Sequence, residues 1–189
     1  MILVIDTSSS SMATIGTIDK GYGETFAGRG PNALARAVEG YVRSGRLTKV
    51  AVATGPGSFT GLRVGVSVGL GIAVGLRIPI VPLPTLDLQA ARSDEPVTAV
   101  GYAGRGRYYY QLPGRRAALG EPVDIPTTYP LVGRVANREA PLVAAGHRIK
   151  PESELRLLVA AADILLRTAR EVPYRNLEIE YMQSFSRKD

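Results

Sequence analysis

Residues 53–76 read Ala-Thr-Gly-Pro-Gly-Ser-Phe-Thr-Gly-Leu-Arg-Val-Gly-Val-Ser-Val-Gly-Leu-Gly-Ile-Ala-Val-Gly-Leu, and this run restricts the possible folds more than any other part of the chain. An aliphatic segment at 49–54 predicts a buried strand. Gly55-Pro56-Gly57-Ser58 predicts a tight turn, with Ser58 or Thr60 placed to cap the helix that follows. That helix is expected to run to about Leu76. Gly61, Gly65 and Gly69 fall on one face, four residues apart, and Gly71 and Gly75 on a neighbouring face. An interior glycine weakens a helix by about 1 kcal/mol relative to alanine, so close approach of another backbone has to compensate. The side chains between the glycines leave the helix apolar all round, and such a helix is buried. Periodicity alone does not say whether its own chain or a second subunit covers it.

The rest of the chain extends this strand–turn–helix unit. Residues 2–5 and 12–18 read as strands around the polar turn Asp6-Thr7-Ser8-Ser9-Ser10-Ser11, and 24–28 as a short third strand. Pro31 opens a helix with Leu34, Val38, Tyr41 and Val42 on one stripe, ended at Gly45. Residues 78–82 predict a strand and 86–92 a short helix. A charged stretch near 92–96 marks a boundary, giving a first domain over 1–92 and a smaller one over 93–189. In the second, 97–102 and 107–112 form a strand pair around Gly104-Arg105-Gly106, 142–145 a strand and 154–169 an amphipathic helix. The Pro- and Gly-rich residues 114–140 give no clear elements. Alternating strands and helices predict an α/β protein.

Composition removes several chemistries. The chain has no cysteine and one histidine, His147, so a thiol nucleophile and a zinc-type ligand cluster are both excluded. Ser58 lacks the glycines of a nucleophile elbow. No metal site and no catalytic residue is expected. The cysteine-free composition fits a cytoplasmic protein. The N-terminal residues have no signal-peptide pattern, and the longest uncharged run, 64–76, falls short of a membrane span. A net charge of +6 favours an anionic partner, and the densest basic stretch is Arg105, Arg107, Arg115 and Arg116 around three consecutive tyrosines.

Gly-Pro-Gly-Ser-Phe-Thr-Gly-Leu-Arg-Val-Gly at 55–65 resembles the signature of the TsaB (YeaZ) family. The opening Ile2-Leu3-Val4-Ile5-Asp6-Thr7-Ser8 and the Ile78-Pro79-Ile80-Val81-Pro82 segment are similar to that family's first and later strands. Tyr181 resembles its closing Tyr-Leu-Arg, with Met182-Gln183 in the last two places. Two patterns depart from it: Pro31-Asn32 stand where the family has His-Ser, and Tyr102-Ala103-Gly104 where it has Asp-Ala-Arg.

The resemblance implies an actin/Hsp70/sugar-kinase-like fold of two ribonuclease-H-like lobes, the second reduced. It implies a scaffold without catalysis of its own in the synthesis of threonylcarbamoyladenosine in tRNA. Its partners would be a TsaD-like catalytic subunit and a TsaE-like ATPase, with a homodimer when alone, tRNA met only indirectly and no membrane. The expected interface is Leu34, Val38, Tyr41 and Val42 on the first long helix with Leu62, Arg63, Val66 and Leu70 on the second. The alternative is a nucleotide-binding protein or weak ATPase. Its phosphate site would be Asp6, Thr7, Ser8, Gly55, Gly57, Ser58 and Thr60, a set read otherwise as vestigial, with Asp6 capping a turn and no cofactor bound.

Overall fold

The computed structural model describes residues 1–28 and 30–182. Its first sheet has five strands in the order β3-β2-β1-β4-β5: β1 Ile2–Asp6, β2 Ala13–Ile18, β3 Tyr22–Ala27, β4 Lys49–Gly55 and β5 Ile80–Pro84. β1 pairs antiparallel with β2 and parallel with β4, and β4 pairs parallel with β5. Alternation along the strands divides the core in two. Leu3, Ile5, Val50 and Val52 face α1 (Pro31–Arg43) and α2 (Phe59–Leu76). Val4, Ala51, Ala53 and Val81 face the other way, toward α3 (Thr85–Ala90) and α5 (Leu158–Leu166).

The second sheet has the order β8-β7-β6-β9, built from β6 Thr98–Gly104, β7 Arg107–Gln111, β8 Ala118–Gly120 and β9 Leu131–Val132. Its core holds Val100, Tyr108, Ile125, Leu131 and Leu142, the last from α4 (Ala140–Ala144). The change of sheet falls between α3 and β6, but α5, well beyond that point in sequence, returns to cover the first sheet.

The helices and strands differ from the sequence reading in four places. The strand expected at 78–82 starts at Ile80, because the Ile78 amide donates to the Ala73 carbonyl and Arg77 takes a left-handed conformation to close α2. Residues 142–144 are helical and Ala145 caps them, with Pro141 in the first turn of α4. The helix expected over 154–169 is confined to α5. Arg92 and Arg156 bond to each other's backbone carbonyls, through the Arg156 amide and the Arg92 Nε, and this holds 155–157 extended. β8 and β9 lie in the stretch that the sequence left without elements; both pair within the second sheet.

Residues 172–182 run back along α2. Val172 bridges to Ile80, and the Tyr174 hydroxyl donates to the Ala73 and Ile78 carbonyls at the C-terminal end of α2. Leu177 and Ile179 pack into the α2-facing core, the Glu180 amide donates to the Thr54 carbonyl, and Met182 reaches the core beneath the second sheet. Gln183 lies outside the described residues.

Candidate functional site

Two features meet around α2: its outward face, and a cleft at its N-terminal end between the sheets. The glycine rows decide which face is which. A Cβ on Gly61 would stand 2.1 Å from the Thr7 carbonyl oxygen, one on Gly65 2.0 Å from the Thr7 hydroxyl, and one on Gly69 2.3 Å from Val52 Cγ1. This row is seated on β1, β4 and the loop after β1. Leu62, Val66 and Ala73 are buried on the same side. Gly71 and Gly75 have no atom within 4 Å of an added Cβ. They lie with Arg63, Ser67 and Val74 on an exposed stripe, of which Val74 is 49% exposed. α2 has 18 residues and, by length and composition, is long and apolar enough to cross a bilayer, which the shorter run counted in the sequence did not suggest. Its seated glycine row nevertheless packs it on a sheet.

This geometry corrects half of the expected interface. Leu34 and Val38 on α1 and Leu62 and Val66 on α2 are between 0% and 6% exposed and fill the chain's own core. Their helices turn them to the sheet, so they cannot form an outward contact. Tyr41, Val42 and Leu70 are half-buried at the margin of that core, and Arg63 is exposed. The glycine row with crowding around it marks the inner face.

At the N-terminal end of α2, the residues that carried the family resemblance come together. The Arg63 guanidinium lies 3.9 Å from the Phe59 ring centroid, its Nε donates to the Tyr181 hydroxyl at 3.1 Å, and the two rings are 5.2 Å apart. This clasp holds the C-terminal segment over the helix start. Beside it opens a cleft of about 250 Å³, with Ser10, Ser58 and Glu180 and the rings of Phe59, Tyr102, Tyr109 and Tyr181 on its walls.

The suspected phosphate residues are adjacent, but the chain itself engages Asp6, Ser58 and the Ser8 and Gly55 amides. Asp6 is buried and accepts the Ser8 amide at 2.8 Å, the turn cap of the simpler reading. The Ser58 hydroxyl accepts the Gly61 amide, and the Ser58 amide donates to the Ser8 carbonyl at 2.7 Å. The Gly55 amide donates to the Thr85 hydroxyl. A Cβ on Gly57 would meet Ser8, and one on Gly55, whose φ is 115°, would meet the Glu180 carbonyl oxygen at 2.6 Å. These glycines let neighbouring strands of chain close on one another. Thr7 is buried with an unpartnered hydroxyl against Gly65, and Thr60 is exposed on the first turn of α2.

No group of three or more His, Asp or Glu side chains suited to a metal occurs among the described residues. His147 is buried away from the cleft, its Nε2 2.9 Å from the Pro122 carbonyl oxygen. Two charged contacts brace the sheets. Arg134, from the loop after β9, reaches Thr14 and Glu24, and Glu24 also accepts the Val159 amide at the start of α5. Arg92, almost fully buried, pairs with Glu152, and its hydrogen bonds hold the Glu152 carboxyl below the ordinary carboxylate range.

Comparison with known proteins decides the family. The family model described as tRNA N6-adenosine threonylcarbamoyltransferase, TsaD, matches residues 33–145. The chain belongs to the TsaD family. A relative, the tRNA threonylcarbamoyladenosine biosynthesis protein TsaB of Bacillus subtilis strain 168, is 38% identical over 69 residues. That match takes in 35% of this chain and 30% of the relative's length. YeaZ from Pseudomonas aeruginosa superposes with a TM-score of 0.73 at 18% identity, covering 96% of this chain and 99% of that one. A second structure, described as similar to the peptidase YeaZ of the same organism, gives 0.68 at 17% over the same shares. TsaB and YeaZ are the names carried by the family that the 55–65 motif resembles. The fold is thus the actin/ribonuclease-H-like one expected from the sequence.

Proposed function

We propose that this chain is a non-catalytic partner subunit of the machinery that makes threonylcarbamoyladenosine in tRNA. It docks a TsaD-like catalytic subunit, and with it a TsaE-like ATPase, on the outward faces of α1 and α2. The observation that carries this reading is the uncovered stripe of α2, where Arg63, Ser67, Gly71, Val74 and Gly75 stand exposed on a helix otherwise made of apolar residues. Small residues in a row let a partner helix approach closely, and the apolar end of the stripe, with Val74, gains by leaving water. Tyr41, Val42 and Leu70 flank the stripe and supply bulk. In the absence of the catalytic subunit the same stripe pairs two copies of this chain. The committed Asp6 and the self-filled glycine loop support a scaffold without turnover. The cytoplasm, where tRNA is modified, is its place of work.

The test is capture of the catalytic subunit by Ser67→Glu and Val74→Glu variants, with circular dichroism to establish folding. Both sites are exposed, so the variants should fold and lose the partner and the homodimer, because a carboxylate closed into a helix contact loses its water and its bulk holds the partner helix away. Folded variants that still capture the catalytic subunit would place the interface elsewhere.

A further inference from the structure

We propose that the tip of the β6–β7 hairpin is an RNA-docking surface on which Arg105, Arg107 and Arg138 hold phosphates of a tRNA loop beside the aromatic-walled cleft. The proposal rests on the reading that the chain works in tRNA modification, and it adds a direct contact where the resemblance implied only an indirect one.

The basic stretch at 105–116 is a single block in sequence but not in space. Arg105 and Arg107 sit at the turn between β6 and β7. Arg115 and Arg116 follow the far end of β7, a five-residue strand, and so lie at least roughly 15 Å away at about 3.4 Å per residue. A residue distant in sequence replaces them at the tip. The Arg138 guanidinium lies 5.6 Å from the Tyr102 ring centroid, and the Tyr102 hydroxyl accepts the Gly106 amide within the turn. Tyr102 therefore joins Arg138 to the turn that carries Arg105 and Arg107, at one end of the second sheet.

These three differ from the protein's ion-paired cations. Arg46, Lys49, Arg92, Lys150 and Arg156 each lie against a carboxylate. Among the described residues no acid pairs with Arg105, Arg107 or Arg138. The acids nearby in chain or cleft are Glu139, exposed next to Arg138, and Glu180 on the opposite wall. Unpaired guanidiniums fit phosphate, which they grip with two parallel hydrogen bonds.

The neighbouring cleft favours RNA over duplex DNA. Its walls carry Phe59, Tyr102, Tyr109 and Tyr181, with Phe59 37% and Tyr181 46% exposed. Specific RNA binding uses bases splayed from loops onto such rings, with phosphates held at the edge. A duplex offers no unstacked base to this cleft.

The experiment measures binding of unmodified tRNA to the full chain, alone and with its catalytic partner, over a range of salt. It compares two charge-matched double variants. Arg105→Ala with Arg107→Ala should weaken binding about fivefold or more at low salt and lower the slope of log affinity against log salt by about 0.7 to 0.9 per arginine. Arg115→Ala with Arg116→Ala should change either quantity far less, and Arg138→Ala should add to the first pair. Arg107→Lys, which keeps the charge, should recover part of the loss. Equal losses in both double variants would mean diffuse charge attraction and overturn the proposal, as would no loss in either. Unchanged tRNA binding with loss of the catalytic subunit would make the tip a protein contact and overturn it too. Capture of that subunit by the tip variants reads the proposed function separately, so the two can fail independently.

Discussion

The two glycine rows of α2 share residue type, spacing and helix, yet the structure uses them in opposite ways. On the inner row, Gly61, Gly65 and Gly69 admit Thr7 and Val52 to the helix backbone. On the outer row, Gly71 and Gly75 admit nothing from the chain itself. Every one of them weakens the helix by the same intrinsic amount. The inner row recovers that loss through close packing on β1 and β4. The outer row recovers it only if another molecule packs there. A helix with both rows is therefore built to be held from two sides, and the isolated chain supplies one.

Alanine substitution breaks this comparison with one chemical change applied at different sites. The largest effect is expected at Gly61. A methyl group there meets the Thr7 carbonyl oxygen at 2.1 Å, and backbone must move to receive it. Overpacking of this kind should exceed the intrinsic helix gain and lower stability by about 3 kcal/mol, read by urea denaturation. Gly61→Ala as stable as the parent would show that α2 is not seated where the structure puts it. Gly69→Ala presses on the tip of the Val52 side chain at 2.3 Å. A valine methyl yields more readily than a carbonyl, so the net loss should be about 2 kcal/mol. A loss as large as at Gly61 would show that β4 is as unyielding as the backbone.

The inner row was legible in the sequence as a row, and the outer one as its neighbour, but not which was which. Both repeat every four residues, and the two polar residues on the outward side, Arg63 and Ser67, are too few among apolar neighbours to stand out as a face. The strands of the first half followed readily, since residues 2–5, 49–54 and the segment from Ile80 are short aliphatic runs separated by strong turn signals. The second half was harder. Leu142 to Ala145 are apolar residues that fit a strand or a helix, and Pro141 tips them to the helix. The N-terminal limit of α5 depends on Arg92 and Arg156, 64 residues apart in the chain, which no local pattern reveals. At the site, the Asp6 turn was read correctly, whereas Leu34, Val38, Leu62 and Val66 were assigned outward because periodicity marks a stripe without saying what it faces. The clasp of Arg63, Phe59 and Tyr181 joins two segments noted separately and never connected.

A third substitution compares α2 with the far side of the same sheet, where hydrogen bonds rather than close approach hold the elements. Arg92 is buried at 2% side-chain exposure and Glu152 is 64% exposed. Removing the charge in Glu152→Gln leaves Arg92 its bonds to Gln89 and to the Arg156 carbonyl. Discounting for solvent around the carboxylate, the loss should be about 1 to 1.5 kcal/mol near neutral pH. The Glu152 carboxyl is held below its ordinary value of 4.5, first by its hydrogen bond from Arg92. A carboxylate whose pKa falls on folding contributes stability that is complete above the unfolded value and lost as pH drops through the folded one. The difference between parent and variant should therefore persist above about pH 4.5 and shrink on further acidification. A constant difference through that range would mean that the ion pair does not contribute to folding.

The smallest effect on stability, opposite in sign, is expected at Gly71. Nothing within 4 Å opposes a methyl group there, so Gly71→Ala should gain the helix term of about 0.5 to 1 kcal/mol. In a chain of 189 residues that raises the melting temperature by about 1 to 4 °C. The same methyl group stands on the outward stripe, where the docked partner helix of the proposed function would approach the backbone. There it should lower capture of the catalytic subunit and shift the homodimer toward monomer. Gain of stability with loss of association is a combination that a merely exposed glycine cannot give, since an alanine in open solvent has no partner to displace. Thermal melts and sedimentation on the same preparation supply both readings. If Gly71→Ala is more stable and associates as the parent does, the outer row is an idle surface and the docking face must be sought elsewhere on the molecule. If it is less stable, some part of the chain already covers that row, and the contrast between the two faces of α2 does not hold.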